Sequence, residues 1–592
     1  MIEPPEAYPL DDATVSPAPS LSVTVFSRRN TLLAATALGL AGLAVYANSL
    51  DAPFFFDDSS AIVENPTIRH LGALGDVLSP PANGSSVGGR PLVNLSFALN
   101  YAFGGTAVRG YHLTNLIIHV LAGLTLFGLV RRILTGWQPA GRGPMPTERA
   151  TWWALAAAGL WVVHPLQTES VTCVVQRTES LLGLFYLLCL YAAVRGMTSP
   201  RPGRWHATAV IAALAGMATK EAMVTAPVLV LLLDRTFFAG SWAESWRRRK
   251  VLYVGLAATW VLLAFLVLGT GGVRGTAAGF GLGVTPWAYA LTQCEAITTY
   301  LWLSVWPQNL VVDYGTDIVE HATQVIPQGL TVLALVVGTA WALWRRPVAG
   351  FLGAWFLIIL APSSSIVPLV SQPIAEHRMY LPLAAVVVAL VAGLHAWLGR
   401  RALPVCLALA AGLGVRTVLR NGDYRSEVSI HSATVAQRPE NVRALNNLGN
   451  ALARAGRPEE GLAALHTALR LHPENAATHS NLGNVLDLMG RGPEAAAEMR
   501  EALRLEPDHT KVRYNLGNVL LRLGKIPEAV EQYREAVRLQ PTDAEIRHNL
   551  GIALALSGRT DEGIRELQEV LRQHPDYQRS RAALQQVGAA AR

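Results

Sequence analysis

The last third of the chain repeats itself every 34 residues, and this period constrains the fold more than any other feature of the sequence. A Leu-Gly motif recurs in the segments that begin at residues 446, 480, 514 and 548. A proline follows each copy at the same spacing, at Pro473, Pro507, Pro541 and Pro575. Because proline ends a helix and glycine lets two backbones approach closely, each period predicts one antiparallel helix pair. Identical pairs stack into a solenoid.

This period and its residue pattern resemble the tetratricopeptide repeat (TPR). The expected helix-crossing positions hold small residues, which are Gly449, Gly483, Gly517 and Gly551 in the first helix and Ala468, Ala502 and Ala536 in the second. Four full repeats are predicted over about 442–577. A preceding half-repeat, 423–441, would begin a water-soluble array that occupies residues 421–592. Stacked repeats form a concave groove suited to an extended peptide or a partner surface.

An asparagine precedes the Leu-Gly motif in every repeat. The spacing of these asparagines predicts a ladder along one face of the array, formed by Asn447, Asn481, Asn515 and Asn549. In similar arrays such asparagines bind the main chain of a peptide whatever its sequence. The alternative is that they cap or bridge neighbouring helices, and the sequence leaves both roles open.

The first 420 residues are typical of a polytopic membrane protein, in a chain that is 51% hydrophobic and only 15% charged. A span needs about 20 residues, so the shorter apolar segments must include flanking residues. Eleven spans are predicted, near 31–47, 111–130, 151–163, 180–194, 207–218, 222–236, 251–270, 327–344, 349–361, 379–398 and 402–418. They form a transmembrane domain, 28–420, behind a disordered cytoplasmic tail, 1–27.

Arginines at the ends of these spans predict the orientation, because positively charged loops stay in the cytoplasm. The same arginines account for the net charge of +7 without a nucleic-acid partner. An odd number of spans places the N-terminus inside and the array outside. The four cysteines are scattered and support neither a disulfide framework nor a zinc site.

Four polar clusters fall in the predicted external loops. The first is Asp57 and Asp58 in "FFFDDSSAIVENP", where Phe54–Phe56 would form an apolar wall beside the acids. Each cluster also has an ordinary interpretation as a turn, an ion pair or a side chain that reaches the lipid head groups. The others contain His164, Glu169, Arg177 and Glu179, then Lys220 and Glu221, then Glu376, His377 and Arg378.

These clusters lie in motifs that, in this order, resemble the transmembrane and TPR-containing O-mannosyltransferases. The motifs are "FFFDDSSAIVENP", "RPLVNLSFALNYAFGG", "HPLQTESV", "TKEAMVTAPVLVLLLD" and "AEHRMYLP". The resemblance implies an all-α membrane bundle of the GT-C class of glycosyltransferases. It also implies a polyprenyl- or dolichyl-phosphate sugar as donor, with mannose expected, and inverting transfer to serine or threonine hydroxyls. Ser59 and His377 depart from the family pattern and leave the substrate less defined than the reaction.

In that family a carboxylate of the first loop is the general base, and here the role falls on Asp57 or Asp58, with Asp58 preferred. A leaving lipid phosphate needs cationic stabilisation. We expect it from Arg177, Arg378 and Lys220, with Glu169, Glu221, Glu376 and His164 in support. No bound cofactor is required, and a divalent cation at the aspartates stays an open question.

Two alternatives remain at this point. The same fold could glycosylate a lipid or a surface polysaccharide, or the chain could be a membrane-anchored scaffold without catalysis. High usage of Ala, Gly, Leu and Arg suggests a bacterial inner membrane with a periplasmic site and array. The endoplasmic reticulum is the alternative location.

Overall fold

The computed structural model describes residues 21–80, 86–138, 143–269, 283–315, 317–365 and 368–590. These residues form helices and no β-strand, which confirms the all-α fold class. The first helix begins at Leu21, inside the segment predicted to be a disordered tail, and residues 1–20 of that segment lie outside the described ranges.

The part of the chain before residue 424 contains long helices joined by short turns. Its α-helices are α1 (Leu21–Tyr46), α2 (Leu74–Leu78), α3 (Pro91–Gly104), α4 (Val108–Gly136), α5 (Thr147–Val162), α6 (Thr168–Thr172), α7 (Arg177–Thr198), α8 (Pro202–Met217), α9 (Ala226–Asp234), α10 (Trp242–Leu268), α11 (Pro286–Val305), α12 (Ile326–Arg345), α13 (Pro347–Leu360), α14 (Pro382–Leu398) and α15 (Ala402–Asp423). Short 3₁₀ turns are Ala47–Ser49, Pro66–Ile68, Pro165–Gln167, Val174–Gln176, Glu221–Thr225, Ala322–Val325, Glu376–Met379 and Gly399–Arg401, and π turns are Ser59–Val63 and Arg235–Ala239.

Seven segments of the described chain are long and apolar enough to cross a membrane, so the chain is an integral membrane protein. These seven segments overlap eight of the eleven predicted spans, since one segment, Pro382–Asp423, covers two predicted spans that form α14 and α15. The other three predicted spans fall on α5, α8 and α13, which have 16, 16 and 14 residues.

Helix α7 lies inside the membrane bundle, where it packs on α4, α8 and α9. A glycine in its second turn permits one close contact that shapes the external side. A Cβ at Gly183 would lie only 2.3 Å from Cε1 of Tyr380, so the glycine makes room for that ring. The contact holds the turn Glu376–Met379 against the start of α7, and this brings two of the predicted polar clusters together.

The C-terminal part is an array of helix pairs, as the 34-residue period predicts. The helix crossing has no room for a side chain at the glycine position, since a Cβ at Gly483 would lie 2.8 Å from Cγ of Met499 in the paired helix. A single turn separates the array from α15. The array helices are α16 (Glu427–Gln437), α17 (Val442–Arg454), α18 (Pro458–Leu471), α19 (Ala476–Leu488), α20 (Gly492–Leu505), α21 (Thr510–Arg522), α22 (Ile526–Leu539), α23 (Ala544–Leu556), α24 (Thr560–Gln573) and α25 (Gln578–Ala590).

Candidate functional site

The two adjacent aspartates of the first loop have opposite environments. The side chain of Asp58 is 0% exposed. Its Oδ2 accepts a hydrogen bond of 2.9 Å from the N–H of Phe55, and its Oδ1 accepts one of 2.6 Å from the N–H of Val175. Complete burial raises the pKa of Asp58 to about 7, although both N–H donors oppose that rise. Asp58 therefore fastens the first loop to the start of α7.

Asp57 lies on the surface, and its carboxylate accepts no hydrogen bond from the residues that the structure describes. Neighbouring protein removes part of its water and raises the pKa of Asp57, while the positive charge of Arg90 opposes that rise. A basic carboxylate that is open to solvent and has a guanidinium nearby can accept a proton from an incoming hydroxyl.

The turn that presents Asp57 includes a residue in an uncommon conformation. Phe56 has a φ of +48°, in the left-handed region, where a non-glycine residue is strained. Its ring is 44% exposed, whereas Phe55 is buried and the half-buried Phe54 packs edge-on against Tyr111. Of the three rings in the predicted apolar wall, those of Phe54 and Phe55 therefore pack against the protein, and that of Phe56 faces outward.

A chain of buried ionisable groups connects the other three predicted clusters. Oε1 of Glu169 lies 2.7 Å from Nδ1 of His377, and Oε2 of Glu169 accepts the N–H of His377 at 2.9 Å. On the other side of the imidazole, Nε2 is 3.9 Å from Glu179, which also pairs with Lys220. Buried charges are stable only when they are paired in this way. Residues from α6, α7, the loop before α9 and the turn before α14 thus meet in one network.

The three predicted phosphate-binding cations are engaged with protein partners. Arg177 is fully buried, and its guanidinium donates to Asn115, Ser96 and the carbonyl of Tyr111. Four of its five N–H donors are thus used by the described protein, and its complete burial keeps the guanidinium away from a lipid phosphate.

Arg378 donates to the carbonyls of Gln372, Pro373 and Ser363, so it fastens the preceding loop. Lys220 is still 15% exposed at its side chain, and its one ion pair with a described residue is to Glu179. Of the three cations, Lys220 is therefore the one best placed to meet a ligand.

The supporting residues occupy different places. His164 is buried between the N–H of Leu166, which donates to its Nδ1, and the carbonyl of Ser304, which lies 3.2 Å from its Nε2; burial lowers its pKa to about 4. Glu221 lies 3.5 Å from Arg90 and links the Lys220 turn to the first loop. Oε1 of Glu376 accepts hydrogen bonds from Val311 and Tyr314, while burial raises its pKa to about 7.

The asparagine ladder is partly used within the array. Nδ2 of Asn515 donates to Asn484 at 2.9 Å, and Nδ2 of Asn549 donates to Asn518 and Tyr514 at 3.1 Å. These bonds bridge consecutive repeats, which is one of the two roles left open by the sequence. In the described residues Asn447 and Asn481 make no side-chain hydrogen bond, so their amides are available to a ligand.

Several residues of the site were missed by sequence reasoning. Arg90, which lies close to Asp57, stands at the start of the motif "RPLVNLSFALNYAFGG", so its position in a family-like motif was an available signal. Asp313, a lone acid after the apolar run "LVV", pairs with Arg443 of the array. Tyr424 and His431 gave no signal, because only tertiary folding brings them against the first loop.

No group of three His, Cys, Asp or Glu side chains that could hold a metal ion occurs among residues 21–80, 86–138, 143–269, 283–315, 317–365 and 368–590. The described site combines one open carboxylate, a neighbouring arginine and a partly exposed lysine. This combination suits the transfer of a group from a phosphate to a hydroxyl.

Comparison with known proteins found repeat models in the array and curated relatives over most of the chain. Tetratricopeptide-repeat family models match residues 416–476, 446–510, 488–537 and 517–558. Protein O-mannosyl-transferase Tmtc1 of Drosophila melanogaster is 27% identical over 564 residues, covering 76% of this chain and 62% of the relative. Protein O-mannosyl-transferase TMTC4 of Homo sapiens is 27% identical over 483 residues, covering 71% and 64%.

The chain thus spans less than two thirds of the length of these relatives. Among solved structures, the TPR protein YrrB is 26% identical over 28% of this chain and 84% of its own, with a TM-score of 0.26. The matches to these two sequence relatives cover 76% and 71% of this chain, far more than the array alone. The chain is therefore a relative of the transmembrane and TPR-containing protein O-mannosyl-transferases, the family that its motifs predicted.

Proposed function

We propose that the chain transfers mannose from a polyprenyl-phosphate carrier to serine or threonine hydroxyls of proteins outside the cytoplasm. The observation that supports this reaction best is the difference between the two aspartates. Asp58 uses both carboxylate oxygens to anchor the loop, which leaves Asp57 open to an acceptor. We assign the general base to Asp57, whereas the sequence alone favoured Asp58.

In the proposed step the acceptor hydroxyl gives its proton to Asp57 as its oxygen forms a bond to the anomeric carbon. The bond from that carbon to the phosphate oxygen breaks on the opposite face, and its electron pair leaves with the lipid phosphate. The configuration at the anomeric carbon is therefore inverted. Arg90, whose positive charge acts on Asp57, and the partly exposed Lys220 are the cations that would offset the new negative charge.

The array supplies the acceptor in this proposal. A cavity of about 1010 Å³ is lined by the loop around Pro507, by Tyr514 of α21 and by the start of α23. The amides of Asn447 and Asn481, which have no hydrogen-bond partner among the described residues, would bind the main chain of the acceptor nearer the membrane. Because the array and the Asp57 loop are in contact, we place both on the external side, with the N-terminus in the cytoplasm and the periplasm as the external compartment.

The test uses the purified full-length chain, polyprenyl-phosphate mannose and serine- or threonine-containing peptides, with mannosylated product measured by mass spectrometry. Asp57→Asn removes the base and is expected to lower kcat by roughly 10²- to 10⁴-fold. Its melting temperature should stay at the wild-type value because the side chain is exposed and unbonded.

Asp58→Asn is the matched variant. It should lower the melting temperature, because an amide accepts with one oxygen where the carboxylate uses two. If Asp57→Asn keeps its activity while Asp58→Asn is folded and inactive, the base is Asp58. If deletion of the protein in cells changes only the sugars on lipids or polysaccharides, the proposal that the acceptor is a protein is wrong. A wild-type chain without any transfer would favour the scaffold.

A further inference from the structure

The first helices of the array support the loop that carries Asp57. The ring of Phe56 packs edge-on against His431 of α16, with centroids 5.5 Å apart and planes at 90°. The ring of Phe55 packs in the same manner against Tyr424, at 6.1 Å and 74°. Both rings immediately precede Asp57, so the array contacts the candidate base through its neighbours.

A second contact fixes the same helices to the membrane part. Nε of Arg443 in α17 lies 2.5 Å from Oδ2 of Asp313, and Nδ2 of Asn441 donates to the carbonyl of Asp313 at 2.9 Å. The guanidinium of Arg438 also lies over the ring of Tyr314, 5.1 Å from its centroid. Helices α16 and α17 are therefore held at two points, and α16 has a defined position over the first loop.

We propose that His431 is a positioning residue that acts through Phe56 on the carboxylate of Asp57. This inference rests on the proposed function and extends it, because it makes the start of the array part of the catalytic apparatus as well as a carrier of the acceptor. The array would then influence the chemical step for every acceptor, including peptides too short to occupy its groove.

The physical reason is the backbone of Phe56. At a φ of +48° this residue is held in a conformation that it would leave if its surroundings allowed. The ring of His431, only 6% exposed, occupies the space beside Phe56. Without that ring the turn can relax towards negative φ, which swings the following residue. Proton transfer needs a base within hydrogen-bond reach, so a small rotation at Asp57 slows transfer.

His431 acts as a neutral ring in this arrangement. Burial lowers its pKa to about 4, and its Nδ1 makes no hydrogen bond to the described residues. A phenyl ring at this position can therefore keep the edge-to-face contact without the loss of a bond at that atom. This property provides a conservative variant for the experiment.

The experiment compares His431→Ala with His431→Phe and with His548→Ala, using a short peptide acceptor in saturating amounts. His548 is the control in the distal array because it is also 6% exposed and packs on a ring, that of Tyr577 at 5.8 Å, although unlike His431 it also has a hydrogen-bond partner, Oγ of Ser580 at 2.9 Å. We expect His431→Ala to lower kcat by roughly tenfold to a hundredfold with little change in KM. His431→Phe should restore kcat, and His548→Ala should leave it unchanged.

Hydrogen–deuterium exchange over residues 54–61 is measured on the same proteins. His431→Ala should speed exchange at these amides, and His548→Ala should not. The inference is overturned if folded His431→Ala keeps wild-type kcat and wild-type exchange, or if His548→Ala has the same effects. If the wild type transfers no mannose, the proposed function fails, whereas the exchange measurement still decides whether His431 holds the loop.

Discussion

The two parts of the molecule use charge in different ways. In the array, many ion pairs are exposed and lie within one helix, as between Arg504 and Glu501, which are three residues apart. In the membrane part, Glu169 binds His377 across 208 residues of sequence, in a buried network. Exposed pairs add little stability, whereas a buried polar group left without its partner is costly. The membrane part should therefore be the more sensitive to changes of polar residues.

The largest effect is expected from Arg177→Lys in the membrane part. Lysine cannot reach Asn115, Ser96 and Tyr111 at once, so buried acceptors lose their donors. The free energy of unfolding should fall by about 3 kcal/mol or more, measured as a lower melting temperature in detergent. Arg109→Lys, at an exposed pair with Asp51, should have almost no effect. A stable Arg177→Lys protein with weaker donor binding would instead support the phosphate role predicted from the sequence.

In the array, packing rather than polarity should be the sensitive property. Gly483→Val places atoms where Met499 already lies and within 3.1 Å of the carbonyl oxygen of Ala495. Such overpacking should cost about 1–3 kcal/mol, seen in thermal unfolding followed by circular dichroism. Gly393→Ala in α14, where an added Cβ meets nothing within 4 Å, is the control and should be tolerated. Equal melting temperatures for both variants would mean that the helix pair can separate at no cost.

The smallest effect distinguishes the two roles of the asparagine ladder. Asn515→Ala removes one bridge to Asn484 and should cost about 1 kcal/mol of stability. Asn481→Ala removes no bond within the described array, so its melting temperature should not change. If the ladder also binds the acceptor, Asn481→Ala raises KM for a protein acceptor. A raised KM with an unchanged melting temperature in Asn515→Ala would show that its bridge to Asn484 contributes no stability.

The array was predictable because its contacts repeat. Each crossing glycine meets the residue in the same position of the paired helix, so one period of 34 residues determines four helix pairs. The site was predictable only as a set of polar residues in external loops. Which of Asp57 and Asp58 is buried depends on the N–H of Val175, 117 residues away from Asp58, and no local pattern indicates that bond.

The sequence also did not indicate which of the candidate cations are accessible to a ligand. Arg177, Arg378 and Lys220 were equivalent candidates by charge and predicted side of the membrane. The tertiary structure engages the first two with internal acceptors and leaves the third partly exposed. The arginine that lies near Asp57 is Arg90, which immediately precedes α3. The start of α3 is held beside the end of α8 by a hydrogen bond from the N–H of Leu92 to the carbonyl of Ala218.

The sequence by itself determined the all-helical class, the apolar segments, the repeat array and the family relationship. These follow from periodicity, hydropathy and motif order, which are local or regular properties of a chain. Only the tertiary structure decided that Asp58 anchors the first loop while Asp57 stays open to solvent, and that His431 lies against Phe56. The environment of each side chain depends on which residues, distant in sequence, exclude water from it or donate a hydrogen bond to it. Tertiary packing determines which residues these are.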